Sequence, residues 1–225
     1  SCKGLVKGRP QGRLFTDYEN SNKDTLMFKS LQVCGTSGSG KTTLVRELIN
    51  RMDDVHHMGE TFQRAKMKKP KICRWYEGTY QDTKIIVLGD YNKTCGGCDT
   101  IPSVQIVADM LDHMNSVGVG ICVFEGLMLS HMVGTVGAKQ LEMGAENHWR
   151  AYLDTSLFTC LENVVARRRA AGNLKPLNTA NTTADWPRVV NSRRKWEGQG
   201  GIAHTIQFDQ AWQDFDHLLG ALCHE

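Results

Sequence analysis

No stretch of this 225-residue chain approaches the roughly 18 uninterrupted apolar residues that a membrane-spanning helix requires. Ser1-Cys2-Lys3-Gly4-Leu5-Val6-Lys7-Gly8-Arg9 lacks the apolar centre of a secretory signal, so no membrane partner and a cytoplasmic location are the expectations. Internal repeats and low-complexity tracts are absent too, which excludes solenoids and long disordered arms. Among the eight histidines only His56-His57 are close in sequence, and no spacing suggests a metal triad. Eight cysteines are present, but without an export signal they read as buried thiols of a reducing compartment, as for Cys34 in Leu31-Gln32-Val33-Cys34 and Cys122 in Ile121-Cys122-Val123-Phe124. Cys95 and Cys98 form a lone C-x-x-C, half of what a closed zinc site needs, with no second pair at ribbon spacing.

What is present describes an ordinary globular chain, 40% hydrophobic and 23% charged, long enough to bury a core without crosslinks. The formal charge of +3 is mild, but its distribution is uneven. Lys66, Lys68, Lys69, Lys71 and Arg74 form one cluster, Arg167, Arg168 and Arg169 a second, and Arg188, Arg193, Arg194 and Lys195 a third. Each reads either as solvated surface or as a contact for an anionic partner.

Strand-like and helix-like segments alternate, predicting a mostly parallel sheet with helices on both faces. Residues 1–27 read as a polar N-terminal extension, and 28–225 as a single domain. Strands are expected at Leu26–Cys34, Val119–Phe124, Ala151–Leu153 and His204–Phe208, with a hairpin of Ile72–Thr79 and Lys84–Leu88 around Gly78. Helices are expected at Lys41–Met52, Ser103–Val117 (stopped by Gly118), Leu157–Ala171 and Ala211–Leu222. The basic stretch 53–71 matches no element, and the Asn-, Thr- and Pro-rich stretch 173–187 reads as a mobile loop.

One segment carries explicit chemistry. Gly35-Thr36-Ser37-Gly38-Ser39-Gly40-Lys41-Thr42 matches G-x-x-x-x-G-K-[ST] between an apolar strand and an amphipathic helix, the context that makes this motif a nucleotide site. Glycines let successive N–H groups turn inward around phosphate oxygens, and the helix start adds its positive dipole end. Lys41 would reach the terminal phosphates, Thr42 would ligate Mg²⁺, and Thr43 would follow at the same helix start. The expected cofactors are therefore ATP and Mg²⁺. A GTPase would need Asn-Lys-x-Asp late in the fold. Asn92-Lys93-Thr94-Cys95 comes early and lacks the Asp.

The chain resembles the small kinases of nucleoside-monophosphate-kinase type. That likeness implies an α/β, P-loop kinase-like parallel sheet flanked by helices, with a lid at about 167–195. It implies a metal-orienting acid in Glu125 of Phe124-Glu125-Gly126, and a general base at Asp90 of Val87-Leu88-Gly89-Asp90. Asp99 in Gly96-Gly97-Cys98-Asp99-Thr100 competes for that role, and both Asp residues also suit turns. Arg167 and Arg168 resemble lid arginines that neutralise phosphate charge. Gly89-Asp90-Tyr91, Gly96–Thr100, Phe124–His131 and Ala166–Asn173 together are most similar to phage 5-hydroxymethyluracil DNA kinases. This resemblance implies that the partner is DNA containing a modified pyrimidine, phosphorylated on its hydroxymethyl group. A free deoxynucleotide, phosphorylated by a deoxynucleoside monophosphate kinase, is the alternative. A non-catalytic, nucleotide-gated DNA-binding module is a third reading.

Overall fold

The computed structural model describes residues 27–62, 69–92, 96–117 and 120–224. The proposed N-terminal extension to residue 26, Lys66, Lys68, Cys95 and the Gly118 stop lie outside them. β1 (Lys29–Cys34) leads through the glycine loop into α1 (Lys41–Arg51), followed by β2 (Asp53–Phe62), β3 (Lys71–Tyr80) and β4 (Thr83–Leu88). After a 3-10 turn at Gly97–Thr100 come α2 (Val104–Val117), β5 (Ile121–Glu125), α3 (Leu127–His131) and α4 (Thr135–Met143). β6 (His148–Asp154), α5 (Leu157–Ala170), α6 (Ala180–Gly198), β7 (Ala203–Gln207) and α7 (Ala211–His224) complete the described chain.

The seven strands among the described residues form one sheet in the order β2-β3-β4-β5-β1-β6-β7. From β4 to β7 every neighbouring pair is parallel, while β2–β3 and β3–β4 are antiparallel. The sheet is thus mixed: a parallel core carries an antiparallel ribbon at one edge. The four core parallel strands β4, β5, β1 and β6 are nearly wholly buried; β4 and β5 are mostly apolar, while β1 and β6 also bury Ser30, Gln32, His148 and Arg150. On one face, Leu44, Val45 and Leu48 of α1 and Phe215, Leu219 and Leu222 of α7 pack on Leu31, Val33 and Val123. On the other, Ile106, Met110, Leu111 and Met114 of α2 pack on Ile86, Leu88 and Phe124. Side chains of this size each contribute about 1.5–3 kcal/mol when fully buried.

Several expectations need correction. The β3–β4 turn is Gln81-Asp82, both at positive φ (50° and 59°), rather than Gly78. Gly78 sits inside β3 because a Cβ there would lie 2.7 Å from the Asp53 carbonyl. The unassigned stretch after residue 53 forms β2, whose residues are almost all exposed, so no burial alternation marks it. Residues 180–187, read as loop, begin α6 and include Pro187 within it. The short helices α3 and α4 had no counterpart among the expected elements. The buried-thiol expectation fits Cys34, Cys73, Cys98, Cys122 and Cys160, all free and buried, whereas Cys223 is only partly so. Among the described residues, no helix is long and apolar enough to cross a membrane.

Candidate functional site

The glycine loop lies at the C-terminal end of the parallel strands, where open α/β sheets place ligands. Gly38 (φ 82°) and Gly40 (φ 101°) take left-handed conformations, and a Cβ at Gly38 would run into the Cys160 carbonyl. Neighbouring elements hold the loop from outside. Gly35 N–H donates to Ser130 Oγ (3.2 Å), Thr155 Oγ1 donates to the Ser39 carbonyl (2.9 Å), and Asn163 Nδ2 donates to the Gly38 carbonyl (2.9 Å). Thr36 and Ser39 are buried and their hydroxyl oxygens have no partner. Ser37 is half-buried and Thr43 exposed.

Lys41 is buried, and its Nζ donates to the Thr36 carbonyl at 2.9 Å. Thr42 Oγ1 donates to Glu125 Oε1 at 2.9 Å. Glu125 is 1% exposed, and burial pushes its carboxyl pKa up, although the Lys41 ammonium and the Thr42 hydroxyl pull the other way. A hydroxyl and a carboxylate together offer the hard oxygen ligands that Mg²⁺ prefers. An adjacent buried carboxylate carrying a net desolvation cost fits a divalent cation.

Two glycines bring the candidate bases into this cleft. Gly97 (φ 71°) lies so close to Glu125 that a Cβ would meet its carboxylate, and a Cβ on Gly89 (φ 106°) would overlap the Gly97 backbone. A Cβ at Gly96 would stand 3.1 Å from the Asp90 carbonyl and 3.3 Å from the Thr42 methyl. Asp90 is buried. Its Oδ1 accepts the Asn92 N–H (3.0 Å), and its Oδ2 lies 3.8 Å from Arg74 Nε. Asp99 is exposed, and both its oxygens accept the Leu127 N–H (3.1 and 3.0 Å). Both aspartates therefore also stabilise turns. Only Asp99 figures among the main charges acting on Glu125, raising its pKa further.

The lid candidates stand apart from this cluster. Arg167 is exposed, one helical turn beyond Asn163 on the same face of α5, and Arg168 is half-buried with an unpartnered Nε. In α6, Arg188 Nη1 donates to Asp185 Oδ1 (2.9 Å) and Arg193 Nε donates to Glu197 Oε1 (2.9 Å). Cys98 is buried against the site, while its partner in the C-x-x-C lies outside the described residues.

Sequence reasoning missed Ser130, Thr155 and Asn163, whose contacts with the loop span 95 to 125 residues of sequence and leave no local signal. It also missed His131, whose Nε2 lies 3.8 Å from Asp185 Oδ1 and whose pKa burial lowers against the pull of that carboxylate. Beside the loop, a cavity of about 260 Å³ opens toward α6, lined by Thr36, Ser39, Tyr152, Trp186 and Arg193 among others.

A mixed seven-stranded α/β sheet flanked by helices, with this loop at its catalytic-type edge, fits a kinase of the α/β class. Over 193 residues the chain is 29% identical to the 5-hmdU DNA kinase of Pseudomonas phage PaMx11, covering 85% of this chain and 97% of that protein. This similarity over most of both chains relates the chain to a phage 5-hmdU DNA kinase and supports a kinase reading. No family model matches the chain, and no solved structure matches it.

Proposed function

We propose that this chain transfers the γ-phosphoryl group of ATP to the 5-hydroxymethyl group of 5-hydroxymethyluracil within DNA. The observation that carries the reading is the contact of Thr42 with the buried Glu125, beside the buried Lys41 at the end of a glycine loop. The likeness to a kinase named for the same base supports the choice of acceptor.

In this reading the N–H groups of Gly38 and Gly40 face the phosphates, Ser39 N–H stays on the Thr36 carbonyl at 3.2 Å, Gly35, Thr36 and Ser37 shape the loop's start, and Thr43 lies near the α-phosphate. Lys41 exchanges the Thr36 carbonyl for a phosphate oxygen. Thr42 and Glu125 would hold Mg²⁺, which would supply charge neutralisation at the phosphates. Asp90 takes the proton as the hydroxymethyl oxygen bonds to phosphorus and the β–γ bridging bond breaks, releasing ADP. Asp99 positions the acceptor. Arg167 and Arg168, on a lid over residues 167–195, approach the transferred phosphate.

The test offers γ-labelled ATP with 5-hydroxymethyluracil oligonucleotides, plain thymine oligonucleotides and free deoxynucleoside monophosphates. Label is expected in the first alone. Efficient labelling of a free monophosphate, with none in modified DNA, would overturn the reading in favour of a monophosphate kinase.

A further inference from the structure

Among the described residues, Arg150 is the arginine that the fold buries completely, at 0% exposure. Its Nε and Nη2 donate to Gln140 Oε1 (both 3.2 Å), and its Nη1 donates to the Met132 carbonyl (3.2 Å). Its guanidinium lies 4.3 Å from the centre of the Trp196 ring. α4 comes so close that a Cβ at Gly137 would stand 2.5 Å from Nη2. All of these partners are neutral. They replace the guanidinium's water but leave its charge in place. Buried charges are ordinarily paired with an opposite one, because the unpaired state is costly. Among the described residues no carboxylate forms an ion pair with Arg150. The adjacent thiol and phenol do not fill the gap. Burial pushes Cys34 up to about 11 and raises Tyr152 as well, so both stay protonated near neutral pH.

Arg150 lies beneath the glycine loop. On β6 it pairs with Gln32, and two residues further on Tyr152 pairs with Cys34, the residue before Gly35. Along the strand this is about 7 Å to the level of Cys34. Met132, whose carbonyl Arg150 holds, follows α3, and Ser130 of α3 accepts the Gly35 N–H. Of the two cations that lower the Cys34 pKa against burial, Arg150 acts more strongly than Lys41. Gln32, Cys34, Thr36 and Ser130 between them are all buried, so little water screens the charge in this direction.

We infer that Arg150 lacks a counter-ion in the fold because the ligand supplies it: the buried charge attracts the phosphates of a nucleotide at the glycine loop without touching them. The inference rests on the nucleotide part of the reading above and is independent of the acceptor. At a separation on the order of 10 Å and an effective dielectric of about 40, one such charge changes affinity roughly fourfold per unit of ligand charge. A buried charge is screened little by salt, so its contribution should persist at high ionic strength.

Gln140→Glu places the counter-ion inside the fold. It keeps the side chain's shape and both contacts with Arg150, whose guanidinium holds the new carboxylate ionised. The melting temperature of the free protein is expected to hold or rise. Titration calorimetry in EDTA should nevertheless show weaker binding, by about tenfold or more for ADP and by roughly fourfold more again for ATP. The ratio of variant to wild-type affinity should be the same in low and high salt. Arg150→Met removes the charge instead and should show the same dependence on ligand charge. A purely structural Arg150 predicts otherwise, since the tighter pairing in Gln140→Glu would brace α3 and the loop at least as well. Unchanged nucleotide affinity in that variant would overturn the inference, and so would equal losses for ADP and ATP. Wild-type protein that binds no ADP would overturn the nucleotide reading itself, and this inference with it.

Discussion

Thr42 Oγ1 donates to Glu125 Oε1 at 2.9 Å, joining the first turn of α1 to the last residue of β5 across 83 positions of sequence. The two residues belong to adjacent strand–loop units of the parallel sheet, since β1 and β5 pair directly up to Val33 and Glu125. Parallel pairing therefore places a hydroxyl and a carboxylate side by side at the mouth of the glycine loop.

That pairing gives Glu125→Gln two opposite effects. Ionising Glu125 in the folded state costs stability, because its pKa is raised by burial. The penalty is absent below the ordinary carboxylate range, grows as pH rises from there toward the raised value, and is constant above it. The Gln variant should therefore melt a few degrees higher than wild type at pH 7 without nucleotide, and the difference should vanish near pH 4. Phosphoryl transfer should fall by ~10²-fold or more, as expected when a metal-orienting acid is lost. Calorimetry across pH, with initial rates, checks both; a lower melting point at pH 7 would contradict the assignment.

Lys41→Ala removes the ammonium that lies nearest the loop's interior. Transfer should drop by at least ~10³-fold, the scale of losing one well-placed cation in phosphoryl transfer. Circular dichroism and the melting temperature should stay close to wild type. Turnover within tenfold of wild type would remove the kinase assignment.

Asp90 and Asp99 are separated by their kinetics. Asp90→Asn should lower kcat by about 10²–10⁴ with little change in ATP affinity. Asp99→Asn should mainly raise the acceptor's KM. The reverse pattern would assign the proton transfer to Asp99, whose carboxylate already acts on Glu125.

His148 sets an acid limit on stability. It is fully buried beside Ser30, and burial lowers its pKa from 6.5 to about 4. Between those values the unfolded chain binds a proton that the folded one does not, so stability falls as pH drops. By pH 5 the loss is about 2 kcal/mol. Denaturant titrations from pH 7 to 4.5 should show this slope, and His148→Gln should flatten it.

The legible part of this protein was its contiguous chemistry. Gly35–Thr42 presents a complete glycine-loop pattern within eight adjacent residues, and Glu125 stands at the end of an apolar run, so local pattern marked both positions. β2 escaped notice because Asp53–Phe62 is almost wholly exposed, with only Glu60 and Phe62 half-buried at its end, so there is too little alternation to read. The start of α6 was obscured by Asn181, Thr182, Thr183 and Pro187, which are poor helix formers held in place by packing of α6 against α3 and β6. Which residues would grip the loop was invisible for another reason: those partners meet it only once the sheet has formed.

Those three grips come from three separate elements: Ser130 from α3, Thr155 from the end of β6 and Asn163 from α5. A loop braced in this way has already lost most of its backbone freedom before any nucleotide arrives. In the proposed reading, nucleotide binding would spend little on ordering, and its association rate should approach the encounter limit rather than wait for the loop to take shape. Amide exchange at Gly35 and Ser39, whose N–H groups are already bonded, should accordingly be slow in the free protein, whereas Gly38 and Gly40 should gain protection when nucleotide is added.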